Sequence, residues 1–204
     1  YRLFMEKDCS LAEINPLAVT ADGRLLALVA KLSFDDDALF RHPEVQALHD
    51  PEQEDPLEAQ AGAWDISYVR LGGDVGCLVN GAGLAMATLD IIQEVGAQPA
   101  NVLDVGGGAD EERVKQAFSI ILGDLRVKRV LVNVFGGILR CDVVARGIVA
   151  ACREKGASPP IVARLLGTNA EEGRQVLRQS GLPVALVDSL REAAQRLKEE
   201  PPTR

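Results

Sequence analysis

Aromatic side chains are scarce in this sequence, with one Trp, two Tyr and five Phe among 204 residues. So few flat rings disfavour a platform on which nucleic-acid bases stack. Histidine is scarcer still. His42 and His49 are the only two, neither has a partner at ligand or catalytic spacing, and both read as surface residues. No apolar run approaches the roughly 20 residues of a membrane span. The four cysteines (Cys9, Cys77, Cys141, Cys152) are scattered with no CxxC, which disfavours metal or disulfide use. Cys77 and Cys141 lie in apolar segments and read as small core residues in a reducing compartment. Positive charge is in deficit. A net charge of −8 argues against a nucleic-acid backbone or an anionic membrane surface as partner. The length suits one good core, or one domain plus part of another.

What is present centres on residues 130–142, VLVNVFGGILRCD. From Val130 to Phe135 only Asn133 is polar, and three positions are β-branched, as in a strand buried on both faces. Gly136 and Gly137 then break the strand. From Ile138 the apolar positions Cys141, Val144, Ile148 and Ala151 take helical spacing, so a helix is expected over 138–155. A strand that runs through two glycines into a helix leaves backbone N–H groups bare at the helix start. There the glycines admit a ligand and the helix dipole favours negative charge.

The first forty residues look like the end of a larger domain, because Tyr1-Arg2-Leu3-Phe4 has neither cap nor polar lead-in. Strands are expected at 9–17 and 25–32, with a turn at 20–23 that places Gly23 where φ is positive. Asp35, Asp36 and Asp37 read as a solvated loop, with a divalent cation as the alternative. Residues 41–56 are rich in proline and acidic groups and read as a linker or surface excursion. A short helix is expected at 56–61, with Pro56 in its first turn, and an edge strand at 64–69.

Beyond Gly72 the pattern becomes regular. Strands are expected at 75–79, 101–105, 129–135, 160–165 and 183–187, with helices at 83–96, 110–122, 138–155, 169–180 and 189–199. Thr168 with Glu171, and Ser189 with Glu192, match the capping box, and Pro201-Pro202 should stop the last helix. Five strand–helix units in succession predict an α/β fold, a doubly wound parallel sheet with flavodoxin-like order 2-1-3-4-5. In such a sheet ligands collect beyond the strand carboxyl ends, where the winding reverses. The first and third βα loops, 80–83 and 136–139, fall there; the second carries Gly106, Gly107 and Gly108. Three glycine-rich loops together predict an anion or acyl-carboxylate site. None matches GxGxxG or the P-loop, so no dinucleotide or nucleoside triphosphate is assigned to them. No Ser/His/Asp or Cys/His set lies near, so if covalent chemistry happens here the nucleophile must come from another chain.

The stretches LAEINPL, DDDALFRHPE, VNGAGLAMATLDII, PANVLDVGGGA, VNVFGGILRCD and SGLP resemble, in order, those of the β subunits of succinyl-CoA synthetase, the ADP- or GDP-forming succinate–CoA ligases. The resemblance covers nearly the whole chain and implies a C-terminal portion. Residues 1–40 would be the tail of an ATP-grasp domain, 41–61 a linker, 62–199 the flavodoxin-like CoA-ligase domain and 200–204 a tail. It also implies ATP or GTP, CoA and succinate as substrates and Mg2+ as cofactor. The partner would be an α subunit whose phosphohistidine carries the phosphate, and the setting a bacterial cytoplasm or mitochondrial matrix. Residue by residue, Asn80 with Gly136, Gly137, Ile138 and Leu139 would contact substrate or phosphate. Glu13 would support the phosphohistidine, and Asn15 would ligate Mg2+. The family's second metal ligand, an Asp, is here Val29, whose side chain has no oxygen for a hard cation. Asp35 is the residue that could compensate. Leu166 in RLLGTN is a milder departure, and Asp142→Asn is expected to be nearly silent. Ligation of malate or citrate to CoA, or a non-catalytic assembly module, are the alternative readings.

Overall fold

Pro16 has no N–H to give to a ladder, and it divides the strand expected at 9–17 in two. The computed structural model describes residues 1–50, 53–156 and 158–199. Pro201-Pro202 and the tail 200–204 lie outside the described residues. Two compact units are formed, Tyr1–Gln53 and Glu54–Arg204.

In the first unit a short helix α1 (Arg2–Glu6) precedes β1 (Cys9–Ile14), β2 (Leu17–Val19), β3 (Leu25–Ala27) and β4 (Ala30–Phe34). Two antiparallel pairs nest about the turn, β2 with β3 inside and β1 with β4 outside. The expected strand 25–32 is therefore interrupted at Leu28–Val29, opposite the break at Pro16. Gly23 takes φ +82° in the turn. Asp36 and Asp37 are not loop residues but open the 3-10 helix Asp36–Arg41, which the exposed Asp35 caps by accepting the Asp37 N–H. A turn of helix, α2 (Pro43–Gln46), follows. His42 is not a surface residue either: it is half-buried, with Nε2 2.7 Å from Asp8 Oδ2, which also accepts from Arg41 Nε at 2.8 Å. His49 is exposed, as expected.

The second unit opens with α3 (Pro56–Gly62), its N-terminus capped by Asp55. Leu57 and Ala61 pack into the core, so the expected linker 41–61 has helix at both of its ends. Then come β5 (Ser67–Arg70), β6 (Val75–Val79), α4 (Ala82–Glu94), β7 (Asn101–Asp104), α5 (Glu111–Gly123), β8 (Arg129–Gly136), α6 (Cys141–Lys155), β9 (Ile161–Gly167), α7 (Ala170–Gln179), β10 (Val184–Leu186) and α8 (Leu190–Glu199). The sheet runs β10-β9-β8-β6-β7-β5, with β5 antiparallel at one edge and the other five strands parallel. Numbering the parallel strands along the chain gives 2-1-3-4-5, the flavodoxin-like order.

Alternation along the strands sorts side chains to two faces. Val130, Val132 and Val134 of β8 join Phe118, Ile121, Val144, Ile148 and Leu177 under α5, α6 and α7. Leu131 joins Ala85, Ile92, Ala193 and Leu197 under α4 and α8. Each such burial is worth about 1.5–3 kcal/mol, and a one-residue slip would turn every side chain of the strand over, so the register is strongly held. Buried polar residues also sit in this layer. Asn133 is fully buried, donates to Thr88 Oγ1 on α4 at 2.9 Å and accepts from Arg164 Nη1 on β9 at 2.9 Å. Among the described residues no helix is long and apolar enough to cross a membrane.

Two expected helix starts differ. Thr168 caps nothing with its side chain: the N-cap of α7 is Asn169 in a left-handed conformation, and the Thr168 backbone is used elsewhere. Helix α6 begins at Cys141 and not at 138, because Leu139 turns inward and is buried before the helix can start. At the capping box of α8 the Ser189 hydroxyl accepts the Glu192 N–H, and Glu192 reaches back to the N–H of Asp188.

At the opposite end of the sheet, buried Asp124 accepts Arg126 Nε at 3.0 Å and Nη2 at 2.6 Å, and Asn101 lies 3.5 Å away. The Arg126 hydrogen bonds hold its carboxyl below the ordinary value of 3.8 against the opposing effect of burial. A carboxyl depressed in the folded state adds stability above its unfolded pKa and loses it as pH falls through the folded one. Asp124→Ala should therefore cost about 1–3 kcal/mol at pH 7 by stranding its partners. The loss should shrink below pH 4. Urea unfolding at pH 7 and pH 3 measures both.

Candidate functional site

In the sheet β6 lies between β7 and β8, so the winding reverses between β6 and β8 and a crevice opens above their carboxyl ends. Three glycine loops meet there, and the structure distinguishes them by what their N–H groups do. At the end of β7, Asp104 Oδ1 accepts the N–H of Gly81 at 2.7 Å and of Gly106 at 2.8 Å. In the first and second loops one N–H each is thus taken by an internal carboxylate.

The third loop has no such occupant. Gly137, Ile138 and Leu139 form a bend between β8 and α6, and none of their N–H groups donates to an acceptor among the described residues. The bend is closed below by Thr168, whose N–H donates to Gly136 O at 3.1 Å and whose carbonyl accepts the Cys141 N–H at 3.0 Å. Gly136 is needed for that closure. A Cβ there would lie 3.0 Å from Leu139 O, Thr168 N and Thr168 O alike, whereas a Cβ on Gly137 would meet nothing within 4 Å. Ile138 is 89% exposed and Phe135 56%, while Leu139 anchors the bend in the core at 2%.

Asn80 lies beside this loop. Its Nδ2 donates to Phe135 O and its Oδ1 accepts the Phe135 N–H, both at 2.9 Å, so the amide imitates a peptide group and joins the end of β6 to β8. A primary amide has a second N–H and a second lone pair, and these remain for a ligand.

The first turn of α6 is charged. Asp142 is buried and accepts Arg140 Nη2 at 2.9 Å and Arg146 Nη1 at 2.8 Å, and Arg146 also reaches Glu111 on α5 at 2.8 Å. Burial by itself would push the Asp142 carboxyl up; the hydrogen bonds from Arg146 and Arg140 outweigh it and hold the group below the usual carboxylate range. Asp142→Asn would turn amide N–H groups toward two guanidinium groups, so it should not be the nearly silent change expected from the sequence. The half-exposed Arg140 leaves positive charge close to the bare N–H row.

The other site residues lie in the first unit. Asn15 and Val29 are neighbours, with the Asn15 N–H donating to Val29 O at 3.2 Å, and Asn15 Nδ2 donates to Glu13 Oε1 at 3.2 Å. One neutral amide oxygen, one hydrogen-bonded carboxylate and an apolar Val29 do not make an Mg2+ site by themselves. Among the described residues no group of three or more His, Cys, Asp or Glu side chains is placed to hold a metal. Asp35 does not compensate: all of β4 separates it from Val29, about 20 Å of strand at roughly 3.3 Å per residue.

Asp104 and Arg140 escaped the sequence reading, which gave Thr168 and Asp142 other parts. A signal existed for Asp104, an Asp on the last strand position before three glycines, where a short carboxylate commonly accepts nearby backbone N–H groups.

An open, doubly wound parallel sheet with backbone donors exposed at its switch point defines an α/β domain of the flavodoxin-like kind. Comparison with known proteins narrows the class: the model of the CoA-ligase family matches residues 78–197, more than half of the chain, and the chain belongs to that family. It is 54% identical over 199 residues to a protein of Geobacillus thermodenitrificans named succinate–CoA ligase [ADP-forming] subunit beta, covering 98% of this chain and 52% of the relative. It is 58% identical over 196 residues to the Anaeromyxobacter dehalogenans protein of the same name, covering 96% and 50%. The chain thus spans about half the length of the curated relatives it matches. Among solved structures, ATP citrate lyase from Methanothrix soehngenii, in complex with citrate and coenzyme A, superposes with a TM-score of 0.79 at 19% identity, over 98% of this chain and 57% of that one. At that identity the likeness speaks for the fold.

Gly136→Ala should destabilise the second unit by about 1–3 kcal/mol through overpacking. Gly137→Ala should change stability by no more than about 0.5 kcal/mol. Denaturant midpoints of the two variants against wild type check the contrast.

Proposed function

We propose that this chain is the CoA-ligase part of the β subunit of a succinate–CoA ligase. The reaction is succinate + CoA + NTP giving succinyl-CoA + NDP + phosphate. At this site a phosphoryl group passes from a histidine of a partner α subunit to the succinate carboxylate. The observation that carries the reading is the row of unused N–H groups at Gly137, Ile138 and Leu139 over the start of α6. Such a row holds a phosphoryl or carboxylate oxygen without a side-chain charge, and the helix dipole adds about 0.3–2 kcal/mol for an anion.

The chain's own residues divide the work. Asn80 fixes the loop and offers its second N–H to the acid. Arg140 contributes positive charge at the rim. Leu139 keeps the bend anchored, and Gly136 lets Thr168 close it. A partner supplies the nucleophile, because neither histidine of the chain falls within 54–204. The exposed side chains of Phe135 and Ile138 give that partner an apolar surface to cover. Asn15 offers one amide oxygen toward Mg2+ and Glu13 lies beside it, but with Val29 in place of a carboxylate these residues do not make a metal site by themselves.

Three outcomes are expected. Titration of the 204-residue chain with Mg-ATP should give no micromolar binding by calorimetry. In the native-length protein assembled with its partner, Gly137→Asp should fold normally by circular dichroism, since its Cβ has open space and its φ is not positive. It should nonetheless lose at least about a hundredfold in labelled-phosphate transfer from the partner histidine to succinate, as like charge meets the phosphoryl group. Ile138→Asp should weaken assembly about tenfold or more by sedimentation. Wild-type transfer in folded Gly137→Asp would remove the loop from the mechanism.

A further inference from the structure

The residues that end β6 are held from both sides. On the β8 side the Asn80 amide exchanges two hydrogen bonds with the Phe135 backbone. On the β7 side the next N–H, that of Gly81, is taken by Asp104 Oδ1, which also takes the N–H of Gly106. Gly81 is the N-cap of α4 and sits at φ +116°, and Gly106 sits at φ +71°. Glycine in such conformations has many others open to it, so an external acceptor must choose one. Asp104 and Val79 are Cα partners in the ladder, which places the carboxylate beside the point where the chain leaves β6.

We propose that Asp104 is a positioning residue for the Gly137–Leu139 loop. By holding the Gly81 peptide against β7 it sets the direction in which the chain leaves β6. It thereby sets the Asn80 side chain, which clamps Phe135 at the base of the loop. The proposal rests on the reading that this loop takes the transferred phosphoryl or carboxylate group. A negative charge is of no benefit beside such a ligand. What the geometry uses is one acceptor oxygen with two lone pairs, which an Asn side chain also supplies.

The test uses the native-length protein assembled with its partner. Asp104→Ala should lower kcat roughly 10- to 100-fold, the range for a small misplacement of reacting groups. The KM for nucleotide should stay within twofold. Asp104→Asn should return kcat to within threefold of wild type. If Asp104 acts through Asn80, then Asn80→Ala and the double variant with Asp104→Ala should fall to the same rate. A readout independent of turnover is hydrogen exchange at the Phe135 N–H, which Asp104 does not touch: exchange should speed up in Asp104→Ala and not in Asp104→Asn. Asp104→Ser, whose shorter side chain cannot reach both donors, replaces Asp104→Ala if that variant does not fold. Unchanged kcat, unchanged Phe135 exchange, or Asp104→Asn as impaired as Asp104→Ala would each overturn the proposal. An inactive wild-type assembly would instead overturn the reading of function, and the exchange measurement would still decide the role of Asp104.

Discussion

Strand β8 is hydrogen-bonded on both sides, to β6 from Val75↔Arg129 through Val79↔Asn133 and to β9 from Val130↔Ile161 through Gly136↔Gly167. With both edges paired and both faces buried it has no freedom to shift, and whatever is attached to its end inherits that rigidity. The attachment is a contact of backbone on backbone, Gly136 against Thr168, where a Cβ would press on three backbone atoms at 3.0 Å. Thr168 then receives the first N–H of α6. The aim of α6, and the bend before it, therefore follow from a pairing register laid down several residues earlier in the strand.

The crevice shows two ways of dealing with bare backbone donors. Above β7 the protein supplies its own acceptor, Asp104, for one N–H of each loop, that of Gly81 and that of Gly106. Above β8 the N–H groups of Gly137, Ile138 and Leu139 donate to no carboxylate among the described residues, and Asp142 is engaged by Arg140 and Arg146. A buried acid at a helix start would ordinarily compete with a ligand for the dipole. Two guanidinium groups remove that competition while fixing the acid in place.

Much of this was legible in the residues. The short apolar runs of 75–79 and 130–135, set against the helical spacing of Cys141, Val144, Ile148 and Ala151, were enough for the doubly wound order, and the order placed the switch point. The resemblance pointed to the same loop. Other details were not legible, for physical reasons. A capping box at Thr168 and a helix from Ile138 are sound local readings, yet tertiary closure between β8 and β9 took the Thr168 backbone and burial of Leu139 delayed the helix. Glycine-rich sequence marks where backbone is bare but not which N–H groups find an internal acceptor; that depended on Asp104, two dozen residues from Gly81. His42 was misread in the same way, its partner Asp8 lying far off along the chain.

The four cysteines carry a consequence of a different kind. All four are buried and unpaired, and burial pushes the thiols of Cys77, Cys141 and Cys152 up. Only the thiolate reacts, so an alkylating reagent must wait for the protein to open. The wait differs by position: Cys77 lies in central β6, Cys141 directly beneath the Gly137 bend, Cys152 near the far end of α6 and Cys9 in the first unit. The chain therefore contains four internal clocks, and the order in which they run down would rank its regions by how readily each comes apart.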